Sequence, residues 1–245
     1  MKRKNGFSFC LVFLLVLPAL FYLASFAAEK QENSELDRKI KTFLEKHKHQ
    51  WYRMNVPESD GKVLYDLIIK NKYKKALEIG TSTGHSGIWI AWALSKTGGK
   101  LVTIEIDEPT YKTVLKNFKE AGLSDYIDAR LADAHDLVPT LKGPFDFVFC
   151  DADKNWYKNY FVAVLPKLVV GGCYTAHNVS MRRGRRSRGG TGEFLDYVKR
   201  LPNFKTTVVN RWMSRYSSCI TAFFARPNRM NNIGAPAAIQ RAIMQ

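Results

Sequence analysis

Ala76-Leu77-Glu78-Ile79-Gly80-Thr81-Ser82-Thr83-Gly84-His85-Ser86-Gly87 is the stretch whose reading decides the fold. The apolar run from Ala76 to Ile79 stops at Gly80, and Gly84 follows four positions later. Helix-like sequence then runs from Ser86 to Leu94. The pattern predicts a buried strand, a tight glycine turn and a helix. Glycine suits such a turn because it takes positive φ freely and lets a ligand approach the backbone. The helix N-terminus that follows presents unpaired N–H groups to polar or anionic ligand atoms.

The spacing is E-x-G-x-x-x-G, without the middle glycine of the dinucleotide fingerprint G-x-G-x-x-G. It resembles the first motif of class I S-adenosylmethionine (SAM) methyltransferases, whose cofactor has no pyrophosphate to cradle. An ordinary two-glycine strand-to-helix turn reads the same way in isolation, so the rest of the chain has to decide.

From Lys74 onward strands and helices alternate. Strands are expected at Ala76–Ile79, Lys100–Ile106, Tyr126–Leu131, Phe145–Cys150, Val169–Ala176, Lys205–Val209 and Cys219–Ala225. Helices are expected near Ser86–Leu94, Pro109–Ala121, Ala134–Leu141, Trp156–Leu168 and Gly192–Arg200. Upstream, Ser34–Gln50 and Glu58–Asn71 read as amphipathic helices. Such alternation implies an α/β fold, a largely parallel sheet with helices on both faces. Ligands then bind outside the carboxyl ends of the strands.

Those strand ends carry the chemistry. Glu105 closes the second strand 25 positions beyond Gly80, where a carboxylate can accept from both ribose hydroxyls. The third strand ends in Asp133-Ala134-His135; Asp133 either accepts from the adenine amino group or caps the next helix, and His135 lines that face. The fourth runs into Asp151-Ala152-Asp153-Lys154. Carboxylate oxygens suit a divalent cation, and a lysine beside them can take a proton. The fifth ends in His177-Asn178, at the same sheet edge as Asp151. His177 reads equally as a ligand or as a hydrogen-bonded structural residue.

Residues from about 52 to 225 resemble the catechol and caffeoyl-CoA O-methyltransferases, metal-dependent class I SAM enzymes. The resemblance rests on Met54-Asn-Val56, Leu77–Ser86, Thr103–Ile106, Asp146–Lys154 and Ala176-His-Asn178. It implies a Rossmann-like methyltransferase with a seven-stranded, mostly parallel sheet whose last strand is antiparallel. It implies that Val56, Glu78, Gly80, Gly84, Ser86 and Glu105 belong to the SAM site, with His85 where the family often has tyrosine. Asp133 and His135 complete the expected cofactor set. Asp151 and Asn178 would ligate a metal, with His177 beside them, and Lys154 would take the proton from the acceptor hydroxyl. Lys154, Asp151 and Asn178 are thus the expected catalytic residues. The family usually has Asp-Asn where this chain has His177-Asn178, a change that disfavours Mg²⁺ and leaves Mn²⁺ or Zn²⁺, or no metal, in its place.

The implied activity is transfer of the SAM methyl group to a hydroxyl of a small phenolic or catechol-like acceptor. An N-methyltransferase acting on a peptide or nucleic acid, or a non-catalytic SAM-pocket protein, are the alternatives. The Arg182–Gly190 loop motivates the former, but no aromatic-interleaved nucleic-acid motif accompanies it, so nucleic acid is not expected as a partner. The sequence leaves the oligomeric state open, a homodimer among the options.

The totals set bounds. The chain has 245 residues, 46% of them hydrophobic, enough for one domain with extensions. A net charge of +16 favours acidic partners without choosing among them. Four cysteines without a C-x-x-C pair argue against a zinc site and for reduced core residues. Residues 1–28, with basic Lys2-Arg3-Lys4 and an uncharged run from Phe7 to Ala28, read as a signal peptide or a membrane anchor. Export or anchoring through this segment is therefore expected. A methyltransferase domain over 29–226 and a weakly ordered tail over 227–245 complete the expected layout.

Overall fold

The computed structural model describes residues 31, 34–51, 54–179, 190–209 and 220–225. The chain divides into two units, Met1–Lys46 and His47–Gln245. In the first, residues 34–46 form a helix, α1, four positions shorter than its sequence predicts because 47–50 form turns.

The second unit holds the alternating elements: α2 (Glu58–Asn71), β1 (Lys75–Ile79), α3 (His85–Thr97), β2 (Lys100–Glu105), α4 (Glu108–Ala121), β3 (Ile127–Leu131), α5 (Ala134–Thr140), β4 (Phe145–Cys150), α6 (Tyr157–Val164), β5 (Leu168–His177), α7 (Gly190–Lys199), β6 (Phe204–Val209) and β7 (Ile220–Ala225). Among the described residues seven strands form one sheet in the order β3-β2-β1-β4-β5-β7-β6. Strands β1 to β5 are parallel; β7 runs antiparallel to both β5 and β6. This is the expected doubly wound α/β sheet. Its order reverses between β1 and β4, so their carboxyl ends open the crevice where ligands bind.

β1 is buried from Ala76 to Ile79, as a parallel strand covered on both faces must be. α3 is apolar all round and buried from His85 to Leu94, because it also packs against α2. Tyr65 of α2 meets Trp92 edge-on, ring centroids 5.1 Å apart. Beyond β4 the core continues through Phe161, Tyr174, Phe194 and Phe223, with Phe161–Tyr174 and Phe194–Phe223 centroids 5.0 and 5.1 Å apart. Each such side chain contributes about 1.5–3 kcal/mol by leaving water.

Boundaries follow local chemistry. Asp107 caps α4, its Oδ2 accepting from Thr110 N at 2.9 Å. Lys72, at φ 57°, ends α2 in the left-handed conformation. The single helix expected over Trp156–Leu168 is instead a 3-10 turn, α6 and a second 3-10 turn, Leu165–Lys167, where Pro166 cannot continue an α-helix. β5 extends one residue further than expected, which makes His177 its last residue and leaves Asn178 just beyond.

The structure corrects the expectation of an exported or membrane-anchored protein. Among the described residues no helix is long and apolar enough to cross a membrane. The segment 1–28, most of the arginine-rich loop and the tail 227–245 lie outside the described residues. Cys150 and Cys173 are free and buried.

Candidate active site

A cavity of about 510 Å³ opens at the carboxyl ends of β1, β2 and β4. The glycine turn contributes Gly80 and Ser82. Strand β2 contributes Ile104 and Glu105, and the segment entering α5 contributes Ala132 to His135. Asp151, Ala152 and Asp153 form the β4 side, and Ile106, Asp107, Thr110, Tyr160 and Met54 complete the lining. The sequence thus brings Gly80, Glu105, Asp133, His135 and Asp151 to one cavity.

Gly80 sits at φ +92°, and a Cβ there would lie 2.7 Å from the Asp151 carbonyl oxygen. Only glycine lets β1 and β4 approach this closely at their ends. Glu105 is buried, and its carboxylate holds the turn. Oε2 accepts from Ser82 N at 2.8 Å, and Oε1 accepts from Ile106 N and Asp107 N at 3.0 Å each. A carboxylate offers about four lone-pair sites, so it can still accept a bond from a ligand hydroxyl. Asp133 caps α5, Oδ1 accepting from His135 N at 2.8 Å, while also lining the cavity. His135 stacks on Trp156 at 4.0 Å and on Tyr160 at 5.7 Å, which makes an aromatic wall.

Val56, Glu78, Gly84, His85 and Ser86 do not line the cavity. His85 is a buried pin: Nδ1 donates to Val56 O at 2.7 Å, Nε2 accepts from Trp89 Nε1 at 3.2 Å, and Trp51 stacks on the ring at 4.7 Å. That arrangement needs the neutral ring. Burial pulls its pKa from 6.5 to about 4, against the opposing pull of the Val56 carbonyl. Gly84 caps α3 at φ 97°. Glu78 is fully buried below the turn, accepting from Thr103 Oγ1 at 2.6 Å. Burial raises its pKa to about 7; Ser86 and Thr103 hydrogen bonds oppose the shift, and the charges of Asp151 and Glu105 add to it. Its Oε1 has no hydrogen-bond partner among the described residues.

The second constellation stands behind Asp151. Lys154 Nζ donates to Asp151 Oδ1 and, at 2.6 Å, to Tyr157 Oη. The Tyr157 hydroxyl lies 3.1 Å from two acceptors, the Cys150 and His177 carbonyls. His177 Nδ1 lies 3.0 Å from Asp151 Oδ2, and its Nε2 lies 3.1 Å from Oδ2 of Asp60 in α2. Burial works against a charged ring, but hydrogen bonds and charges of Asp151 and Asp60 outweigh it and lift the His177 pKa to about 9. Burial likewise would raise Asp151, yet His177 and Lys154 hold it below its ordinary value. Asn178 is exposed, at φ 58°.

Two ligands can be tested against these residues. SAM carries a sulfonium charge and ribose hydroxyls. Gly80 in the cavity wall and Glu105 at the β2 end, which has acceptor capacity to spare, fit it. A divalent metal on Asp151, His177 and Asn178 does not fit. Both Asp151 oxygens are already engaged, one by Lys154 and one by the His177 ring, and both ring nitrogens of His177 lie within about 3 Å of carboxylate oxygens. Among the described residues no three His, Cys, Asp or Glu side chains are placed to hold a metal ion.

Asp60 and Tyr157 had no role in the sequence reading. Asp60 lies in the first turn of α2, where an acid is ordinary, 117 positions from its partner. Tyr157 and Trp156 directly follow Asp151–Asn155, the one local signal that could have drawn them in.

Fold and cavity together define a Rossmann-like nucleotide-site protein of the methyltransferase kind. The comparisons make this specific: the O-methyltransferase family model matches residues 28–185, and the chain belongs to that family. It is 32% identical to flavonoid 3',5'-methyltransferase of Vitis vinifera over 184 residues, 73% of this chain and 77% of that enzyme. It is 38% identical to catechol O-methyltransferase of Niastella koreensis over 130 residues, 51% of this chain and 58% of that enzyme. The O-methyltransferase from Bacillus cereus, solved in complex with SAH, superposes with TM-score 0.65 at 27% identity, covering 76% of this chain and 90% of that one.

Proposed function

We propose that this chain moves the methyl group of SAM to a hydroxyl of a small phenolic, catechol-like acceptor. The observation that carries the reading is the placing of the Gly80–Glu105 cavity directly against the Asp151–Lys154 pair. Relatives named for flavonoid and catechol methylation support the acceptor class. SAM supplies an electrophilic methyl group when bound.

The chain's residues supply position and proton handling. Glu105 accepts from the ribose hydroxyls, and the glycine turn leaves room for the cofactor against the β1 and β4 ends. The His135–Trp156 wall offers a face for adenine, with Asp133 as acceptor for its amino group. Lys154, oriented by Asp151 and Tyr157, takes the acceptor's proton as the C–O bond forms and the bond from the methyl carbon to the SAM sulfur breaks, leaving S-adenosylhomocysteine. Holding oxygen and methyl in line supplies much of the rate.

The test is calorimetric titration with SAM, followed by transfer of labelled methyl to catechol and caffeate. Saturable SAM binding with labelled O-methyl product is expected. Transfer to peptide or nucleic acid but to no phenol would overturn the acceptor class, and absence of SAM binding would overturn the reading as a whole.

A further inference from the structure

Two of the three residues expected to hold a metal, Asp151 and His177, are already joined to one another. His177 is 5% exposed and spans from Asp151, at the end of β4, to Asp60, in the first turn of α2. Lys154 occupies the other oxygen of Asp151. A carboxylate accepts and cannot donate, so Nε2 carries hydrogen toward Asp60; Nδ1, 3.0 Å from an Asp151 oxygen but off hydrogen-bond alignment, faces a negative charge that favours hydrogen there too. The ring then has no lone pair to offer a metal, which binds neutral imidazole. The four side chains pair two carboxylates with two bases, the His177 ring and Lys154. A divalent ion within about 2.0–2.5 Å of Asp151 would have to displace Lys154 from one of its oxygens and the His177 ring from the other.

We propose that this chain has exchanged the divalent ion implied by its family resemblance for a protein cross-link, the His177 ring held between Asp60 and Asp151 with Lys154 beside it, and that its methyl transfer needs no divalent metal. This rests on the methyl-transfer reading above. The consequence is chemical. The positive charge near the acceptor oxygen is fixed in the protein, cannot be removed by chelator, and arrives with folding instead of with an ion. The cross-link also ties α2 to the catalytic edge of the sheet, a tie that a loosely bound ion would make only while present. His177 is the residue that decides. An aspartate in its place would remove the cation, free Asp151 and add hard oxygen donors beside Asp60 and Asn178.

The decisive probe is Mn²⁺ alone, titrated into the chelator-dialysed full chain and followed by loss of the free-ion paramagnetic resonance signal. The wild-type chain is expected to show no saturable site with Kd below about 1 mM, the weak end of physiological cation sites. His177→Asp is expected to gain one site at least tenfold tighter, with thermal unfolding confirming that it is folded. His177→Asn, which removes the cation without adding charge, is the second variant and is expected to gain a weaker site. Stoichiometric Mn²⁺ on the wild-type chain, lost in His177→Asn, would overturn the proposal. So would two folded variants that bind no more Mn²⁺ than wild type. In the methyl-transfer assay, wild-type turnover is expected to change less than twofold with chelator; loss restored by Mn²⁺ would overturn the proposal. A chain inactive on every phenol would instead overturn the function reading and leave the metal titration standing.

Discussion

Glu105 holds three backbone N–H groups with one carboxylate, so its two tasks, shaping the turn and meeting the cofactor, need separating. Glu105→Ala is expected to weaken SAM by about 1.5–3 kcal/mol, roughly 10- to 150-fold in Kd, as for a charge-assisted hydrogen bond. Glu105→Gln keeps an acceptor oxygen and should lose less; calorimetry finding both variants at wild-type affinity would remove Glu105 from the site. Lys154→Met should lower kcat by roughly 10²–10⁴ while SAM affinity stays near wild type. Turnover close to wild type would show that another group takes the proton. His177 sets a pH window. Its pKa rises from 6.5 to about 9 on folding, so its stabilisation is complete below pH 6.5 and is lost as pH climbs through 9. That shift corresponds to about 3 kcal/mol for a side chain this buried. The lowered pKa of Asp151 describes the same contact from its other side and adds nothing to the sum. Unfolding midpoints of wild type should therefore fall between pH 7 and 9, and those of His177→Gln should be lower but flatter. Equal slopes would mean that the ring is neutral in the folded chain.

At the scale of elements, the glycine turn and the N-terminus of α3 are one device. Gly84 lies at φ +97°, and a Cβ there would stand 2.4 Å from Val114 Cγ2 and 2.8 Å from Phe118 Cε1, both on α4. Gly84→Ala is expected to cost about 1–3 kcal/mol from strain and overpacking, and to weaken SAM because α3 must shift off the turn. An unchanged urea midpoint would refute this. Much of the fold was legible in the sequence for a related reason. Parallel strands buried on both faces read as unbroken apolar runs, and Gly80, Asp107 and Pro166 mark their ends. The cavity residues Gly80, Glu105, Asp133 and Asp151 were legible because a doubly wound sheet gathers strand ends. His85 was not: its spacing suggests a cofactor contact, but burial beside Val56 and Trp89 makes it a pin. The Asp60–His177 contact was illegible because no local pattern couples α2 to the end of β5. One long helix was expected where α6 lies between two 3-10 turns, since apolar periodicity continues through Pro166 while the backbone hydrogen bonds cannot.

At the scale of the whole molecule the dominant quantity is charge, +16 over 245 residues. A field of that size draws anionic acceptors toward the chain and raises encounter rates, and salt shortens its reach from about 30 Å at 0.01 M to about 8 Å at 0.15 M. With SAM saturating, kcat/KM for caffeate, which carries a carboxylate, should fall roughly 3- to 10-fold across that range, while neutral catechol should change little. The Arg182–Arg188 cluster lies outside the described residues, but its five arginines follow β5, the strand that ends at His177. Replacing all five by serine should flatten the salt dependence for caffeate and leave catechol unaffected. Parallel declines for both acceptors in wild type would show that salt acts on the protein and not on the approach of the acceptor. A steep caffeate dependence that survives the five substitutions would place the steering charge among the lysines of the folded unit.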